Sequence, residues 1–141
     1  MPEISITDAI KMAEGVQVKA VELGIRVAVA VVDAGGNTVL FLRMDGTPLA
    51  SSEIARGKAY TAVSWQRPSG DLWAIAQPHQ GGYGLNTIDR RFVLSAGGLP
   101  IGPTDLPWGA IGVSGGTAEQ DELCANAGLL AAVEPSAAPV I

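Results

Sequence analysis

Residues 109 to 133 constrain the chain most. Gly109-Ala110-Ile111-Gly112-Val113 is short, apolar and partly β-branched, the pattern of a buried strand. Ser114-Gly115-Gly116 interrupts it, and paired glycines permit the positive φ that a tight strand-to-helix turn needs. Thr117 with Gln120 three residues on forms a capping box, each side chain satisfying an amide near the other. Glu119, Asp121 and Glu122 place negative charge in the first helical turn, where the helix dipole favours it. Leu123, Ala127, Leu130 and Ala131 then recur on one helical face. The segment therefore predicts strand, glycine turn and helix.

Two chemical uses of this turn are open. Gly112-Val113-Ser114-Gly115-Gly116 fits the G-x-S-x-G nucleophile elbow, but that arrangement needs an acid and then a His after the serine. The only histidine, His79, lies upstream, so a serine hydrolase is disfavoured. The amides of Ser114, Gly115 and Gly116 at a helix N-terminus form an alternative anion site, which the acidic first turn weakens. A purely structural turn competes with both.

Upstream, Ser5 and Asp8 open a first helix, with Ile6, Ala9, Ile10, Ala13, Val16, Ala20 and Leu23 on one face and Gly24 at its end. Val27 to Val32 is a continuous apolar run, hence a strand covered on both faces. Asp33-Ala34-Gly35-Gly36-Asn37 predicts a hairpin turn, with glycine and Asn in left-handed backbone, and Thr38 to Met44 the returning strand. A small-residue helix is expected from about Ser51 to Val63, with Ala55, Ala59 and Ala62 on one face, followed by a short helix from Ser69. A loop covers Gln77 to Asn86, a short strand Arg90 to Leu94, and a further strand follows Gly97-Gly98. Helices at both ends with hairpins between them predict an α+β fold with a mainly antiparallel sheet. One domain over residues 1–133 and a mobile tail over 134–141, bearing Pro135 and Pro139, complete the expected organisation.

Bulk properties narrow the function. Charged residues make up only 16% of the 141, so part of the surface is expected to be covered in an oligomer. A net charge of −5 argues against a nucleic-acid partner. The single Cys124 excludes an intrachain disulfide and suits a packed structural thiol. No stretch approaches a membrane span, and the start lacks the layout of a signal peptide, which points to the cytoplasm. No metal-binding spacing and no nucleotide fingerprint occurs, so no cofactor is required by the sequence.

Candidate chemistry lies in a few polar side chains. Asp33, Arg43 and Asp45 sit at strand ends, where they either cluster or fix the hairpin. Lys58 stands on an alanine-rich helix face, where it either reaches solvent, meets a ligand carboxylate or serves as a base. Lys58, Asp33 and Arg43 are the expected catalytic set of a cofactor-independent enzyme acting on a small carbonyl or carboxylate compound. Trp65, Trp73 or Trp108 would wall its pocket.

Three blocks together resemble the GlcG/HbpS family, also called the haem-degrading domain family, which includes the C-terminal domain of PduO-type proteins. They are Val29 to Gly36 running on to Arg43-Met44-Asp45-Gly46, Ala55-Arg56-Gly57-Lys58-Ala59-Tyr60-Thr61-Ala62, and Gly97 to Ile101 with Gly109 to Gly116 and Gln120-Asp121-Glu122. The resemblance implies a profilin-like α/β/α fold with helices on both faces of the sheet. It implies a homo-oligomer, tetramer or octamer, and a small-molecule ligand, with haem or a related tetrapyrrole as the ligand class. His79 matches no haem-ligating histidine of the family, but as the single imidazole it is the candidate ligand to haem iron, with Met12, Met44 and Tyr60 as substitutes; Tyr60, Trp108, Ser114 and Gly115 are candidate ligand contacts. The chain departs from the family in Leu106-Pro107-Trp108, where relatives carry a short polar turn.

Overall fold

Ser5 and Gly24 set the ends of the first helix, α1 (Ile6–Leu23). The Ser5 hydroxyl accepts from the Asp8 amide at 3.0 Å, a cap that contributes about 1 kcal/mol. Gly24 takes φ +70°, and its amide reaches back to Ala20 and Val21. The structure, a computed structural model, describes residues 3–133. The expected tail over 134–141 lies outside the described residues.

The strands are β1 (Ala28–Asp33), β2 (Thr38–Arg43), β3 (Gly98–Ile101) and β4 (Gly109–Ser114), and the sheet order is β2-β1-β4-β3, antiparallel throughout. The α+β expectation holds. β1 is a central strand, and its alternation feeds two cores. Val27, Val29 and Val31 join Ile111 and Val113 under α1 and α3 (Ala118–Val133). Ala30, Val32 and Ala110 face α2 (Ala50–Trp65) on the other side. Each fully buried valine contributes about 1.5–3 kcal/mol relative to exposure. This two-sided burial is why Val27 to Val32 shows no polar alternation.

The α2 helix lies close to the sheet because neither side carries bulk. Ala55 and Ala59 are fully buried, and a Cβ on Gly112 would collide with the Ala55 carbonyl and the Ala59 amide. The helix runs slightly longer than its alanine pattern indicated, through Trp65, and ends on Gln66 at φ +57°.

Three details differ from expectation. At the β1–β2 turn Gly36 supplies the left-handed residue (φ +81°); Asn37 instead donates to Asp33 Oδ1 from its backbone amide at 2.9 Å and its side chain at 3.2 Å. The short helix after Ser69 is a pair of 3-10 turns, Ser69–Leu72 and Ala74–Ala76. Residues 90–94 form no strand, because their bonding goes to a helix instead: the Val93 amide donates to the Thr61 hydroxyl at 2.8 Å.

Candidate functional site

A cavity of about 430 Å³ opens between the β1–β2 hairpin, α2 and the loop over residues 90–93. Its volume falls within the range of small-molecule sites. One face of α2 supplies Glu53, Arg56, Gly57 and Tyr60, which helical spacing stacks in a row. The hairpin supplies Val32, Gly36 and Thr38, and the loop supplies Arg90, Arg91 and Val93. The wall is thus mainly apolar, with one phenol, one hydroxyl, one carboxylate and three guanidinium groups. The chain has six arginines and a net charge of −5, so gathering half of its arginines at one concavity makes this a local anion-attracting site.

Glycine at position 57 makes the arrangement possible. A Cβ there would strike the Val93 side chain and the Arg91 carbonyl, so its absence lets the loop sit on the helix. Thr61 then clamps the loop, donating to the Gly57 carbonyl at 2.7 Å while accepting from Val93. Phe92 stacks on Tyr60 with ring centroids 5.8 Å apart and meets Trp65 edge-on at the same distance.

The charges around the cavity are unequal. Arg56 lies 2.6 Å from Glu53 and 4.1 Å above the Phe41 ring. Arg91 forms a fork on Asp89 at 3.0 and 2.7 Å and lies 3.8 Å over the Tyr60 ring. Side-chain hydrogen bonding from Arg91 lowers the Asp89 carboxyl to about 2, with its backbone amide assisting. The Tyr60 hydroxyl donates to the same carboxylate at 3.3 Å. Arg90 has no partner among the described residues.

The sequence-predicted catalytic set is not brought together. Asp33 stands at the hairpin end of β1, while Arg43 pairs with Ala28 at the opposite end. An antiparallel hairpin of this length separates them by about 15 Å. Asp33 is occupied by the turn, accepting from the Gly35 and Asn37 amides. Lys58 is 2% exposed beneath the sheet, with its ammonium 2.9 Å from Asp121 Oδ2 and 3.0 Å from the Val113 carbonyl. Its chemistry is spent inside the protein.

The glycine turn is likewise filled from within. Asp121 Oδ1 accepts from the Gly116 amide at 2.8 Å, so the carboxylate of the acidic helix start occupies the anion position expected there. Thr117 and Gln120 complete the capping box in both directions, at 3.0 and 3.2 Å. Ser114 is buried at the end of β4, and Gly115 takes φ +152° against the Arg26 backbone. Of the expected ligand contacts, only Tyr60 lines the cavity. His79 is exposed in the loop after Pro78 at φ +70°. Trp108 packs over Gly102 in the β3–β4 hairpin, Trp73 is 58% exposed, and neither walls the cavity.

The family described as "Haem degrading protein HbpS-like" matches residues 4–130. The chain belongs to the HbpS-like family. It is 42% identical over 127 residues to the 15.0 kDa protein of the dhaT-dhaS intergenic region of Citrobacter freundii, covering 89% of each chain. The crystal structure of the Klebsiella pneumoniae protein ORFY is similar at a TM-score of 0.90 and 38% identity, over 94% of this chain and 92% of that one. The crystal structure of a PduOC:heme complex is similar at a TM-score of 0.87 and 32% identity, over 92% of this chain and 94% of that one.

In this HbpS-like chain the sequence did not single out Arg56, Arg90, Arg91 or Asp89. A strand over Arg90 to Leu94 would send Arg90 and Arg91 to opposite faces, and so gives no sign that they converge. The available signal was Gly57 inside a helix: a glycine there, with no turn to make, marks a close approach by another segment. A second depression, about 510 Å³, runs between α1 and α3. Its charged walls, Lys11, Glu14, Lys19 and Glu22, balance one another, and Lys19 pairs with Glu22 at 3.3 Å. It lacks the charge imbalance of the arginine-lined cavity. No helix among the described residues is long and apolar enough to cross a membrane.

Proposed function

We propose that this chain is a small-molecule-binding protein whose ligand is haem or a related tetrapyrrole, held in the cavity between α2 and the β1–β2 hairpin. The observation that carries the reading is the cavity itself: apolar walls for a flat ring, beside arginines that suit propionate groups. The relative solved as a PduOC:heme complex supports the ligand class. The residues present fit such a group. Val32, Ile54 and Val93 offer apolar surface, Tyr60 an aromatic ring, and Arg56, Arg90 and Arg91 positive charge. A bound haem would bring iron redox chemistry, while these side chains bind the ring, orient it and exclude water from one face.

The test is titration of the full chain with haemin, followed by the shift of its Soret band. Thr38 is exposed at the cavity, and Thr38→Trp fills that space without removing any core contact. The wild type should give the shift and Thr38→Trp should lose it. A shift that survives Thr38→Trp places the ligand elsewhere, and no shift in the wild type removes haem as the ligand.

We further propose that the protein works as a homo-oligomer. The low charged fraction supports this, as do the exposed side chains of Val18, Val21, Leu123 and Leu130 on α1 and α3.

A further inference from the structure

We propose that the arginine-lined cavity selects its ligand by carboxylate and not by metal: Arg90 takes a propionate of a flat tetrapyrrole, no side chain bonds the ring's metal, and the metal-free ring is accepted as readily as haem. This rests on the tetrapyrrole reading above and adds how the ligand is recognised.

The first support is where the metal-binding side chains lie among the described residues. His79 is on a loop turn and does not line the cavity. Met12 and Cys124 are sealed in the core under α1 and α3. Met44 lines a separate depression with Arg26 and Arg43, beyond the far end of the hairpin. Tyr83 is exposed on its loop. Three side chains bring oxygen donors to the cavity, Tyr60, Glu53 and Thr38. The Glu53 carboxylate is held by Arg56 at 2.6 Å, and the Thr38 hydroxyl is a neutral, weak donor to iron. The Tyr60 hydroxyl donates to Asp89, and Arg91 covers its ring. Binding iron would turn that phenol into a phenolate beside a carboxylate that Arg91 keeps ionised. Like charges at that separation oppose the bond.

The second support is the sorting of the arginines. Arg56 is held by Glu53 and Phe41, and Arg91 by Asp89 and Tyr60. Arg90 has no such partner among the described residues, yet it lines the cavity. It sits in a turn closed across it, with the Arg91 amide on the Asp89 carboxylate at 2.9 Å and the Phe92 amide on the Asp89 carbonyl at 3.1 Å. The turn removes backbone ordering from the cost of binding, the side chain has no ion pair to break first, and its fork matches both carboxylate oxygens.

The experiment compares haemin, metal-free protoporphyrin and protoporphyrin dimethyl ester on the full chain, by absorbance and by fluorescence quenching. The two acids should bind within about threefold of each other, and the ester about tenfold more weakly, the loss expected for a charge-assisted contact. Arg90→Gln should weaken both acids by about tenfold and leave the ester unchanged. Haemin binding at least about tenfold more tightly than the metal-free ring overturns the proposal while leaving the tetrapyrrole reading intact. Equal binding of acid and ester, or no effect of Arg90→Gln, overturns it as well. Binding of neither acid removes the tetrapyrrole reading and this proposal together.

Discussion

The Lys58 ammonium and the Asp121 carboxylate meet at 2.9 Å with each side chain only 3% exposed, joining the helix on one face of the sheet to the start of the helix on the other. Each of the two groups holds a second partner. Lys58 also donates to the Val113 carbonyl, and Asp121 also holds the Gly116 amide. Gly97, at φ +133°, leaves the space that the lysine stem and ammonium occupy. The pair thus fixes how α2, the end of β4 and the glycine turn sit together.

Lys58→Met is therefore expected to destabilise the fold and not merely to silence a site. It leaves the Asp121 charge buried without a counter-ion, which costs about 3–5 kcal/mol. Asp121→Asn should also destabilise, since it leaves the lysine charge unpaired. Chemical denaturation of both single variants and the double variant measures the coupling. Additive effects would show that the two groups do not depend on each other.

Much of this architecture was legible in the residues. The uninterrupted run Val27 to Val32 announced a strand covered on both faces, and Thr117 with Gln120 announced the last helix start. These signals are local, written in periodicity and in pairs three residues apart. The Lys58–Asp121 pair spans 63 positions, and no local pattern links them. The cavity was hidden for a related reason. Arg56, Arg90 and Arg91 converge only because Gly57 admits the loop and Thr61 holds it, and both effects depend on tertiary contact. Phe92 and Val93 looked like a strand because their apolar side chains are buried, but what buries them is a helix.

Acid should loosen the cavity loop. Asp89 has its carboxyl lowered from 3.8 to about 2 by Arg91. A lowered carboxyl stabilises the folded loop at pH values above its unfolded value, near 4, and the effect is lost as pH falls from there through about 2. Fluorescence of Trp65, which touches Phe92 of this loop, should change over that window, best followed with Trp73 and Trp108 replaced by Phe. The same change should be present at neutral pH in Arg91→Ala. A flat signal from pH 5 to 2 would show that the Asp89–Arg91 pair does not hold the loop.

Cys124 should be inert in the native protein. It is fully buried, and desolvation, with the Asp121 charge adding to it, raises its thiol to about 11. The reactive thiolate is then scarce at neutral pH and also shielded. Alkylation by iodoacetamide at pH 7 should be slow in native protein and rapid in denaturant. Equal rates in the two states would mean that the helix packing opens readily around this residue.

His79→Ala should leave haemin binding unchanged. The imidazole is exposed on a turn at φ +70° and is not among the groups lining the arginine-rich cavity. Neutral histidine is a good iron ligand, so the substitution is informative in both directions. Equal affinity and an unchanged Soret position in the variant agree with recognition through the arginines. Loss of the shift in His79→Ala would make this loop residue the iron ligand and move the site away from α2.

The last expectation concerns assembly. Val18 and Val21 on α1 are 62% and 70% exposed, and Leu123 and Leu130 on α3 are 50% and 57% exposed. These two helices form one layer, and Val18 and Leu130 face the same groove between them, beside Lys11, Glu14, Lys19 and Glu22. Covering the four apolar side chains with a second copy takes them out of water, and an isologous contact places the same residues on both sides. Sedimentation at micromolar concentration should therefore report a mass well above the 14.4 kDa of one chain. Val18→Glu combined with Leu130→Glu places like charges across such a contact and should shift the mass toward 14.4 kDa without loss of helical signal. A wild type that sediments as a monomer removes the homo-oligomer, and a double variant that keeps the wild-type mass moves the contact to another face.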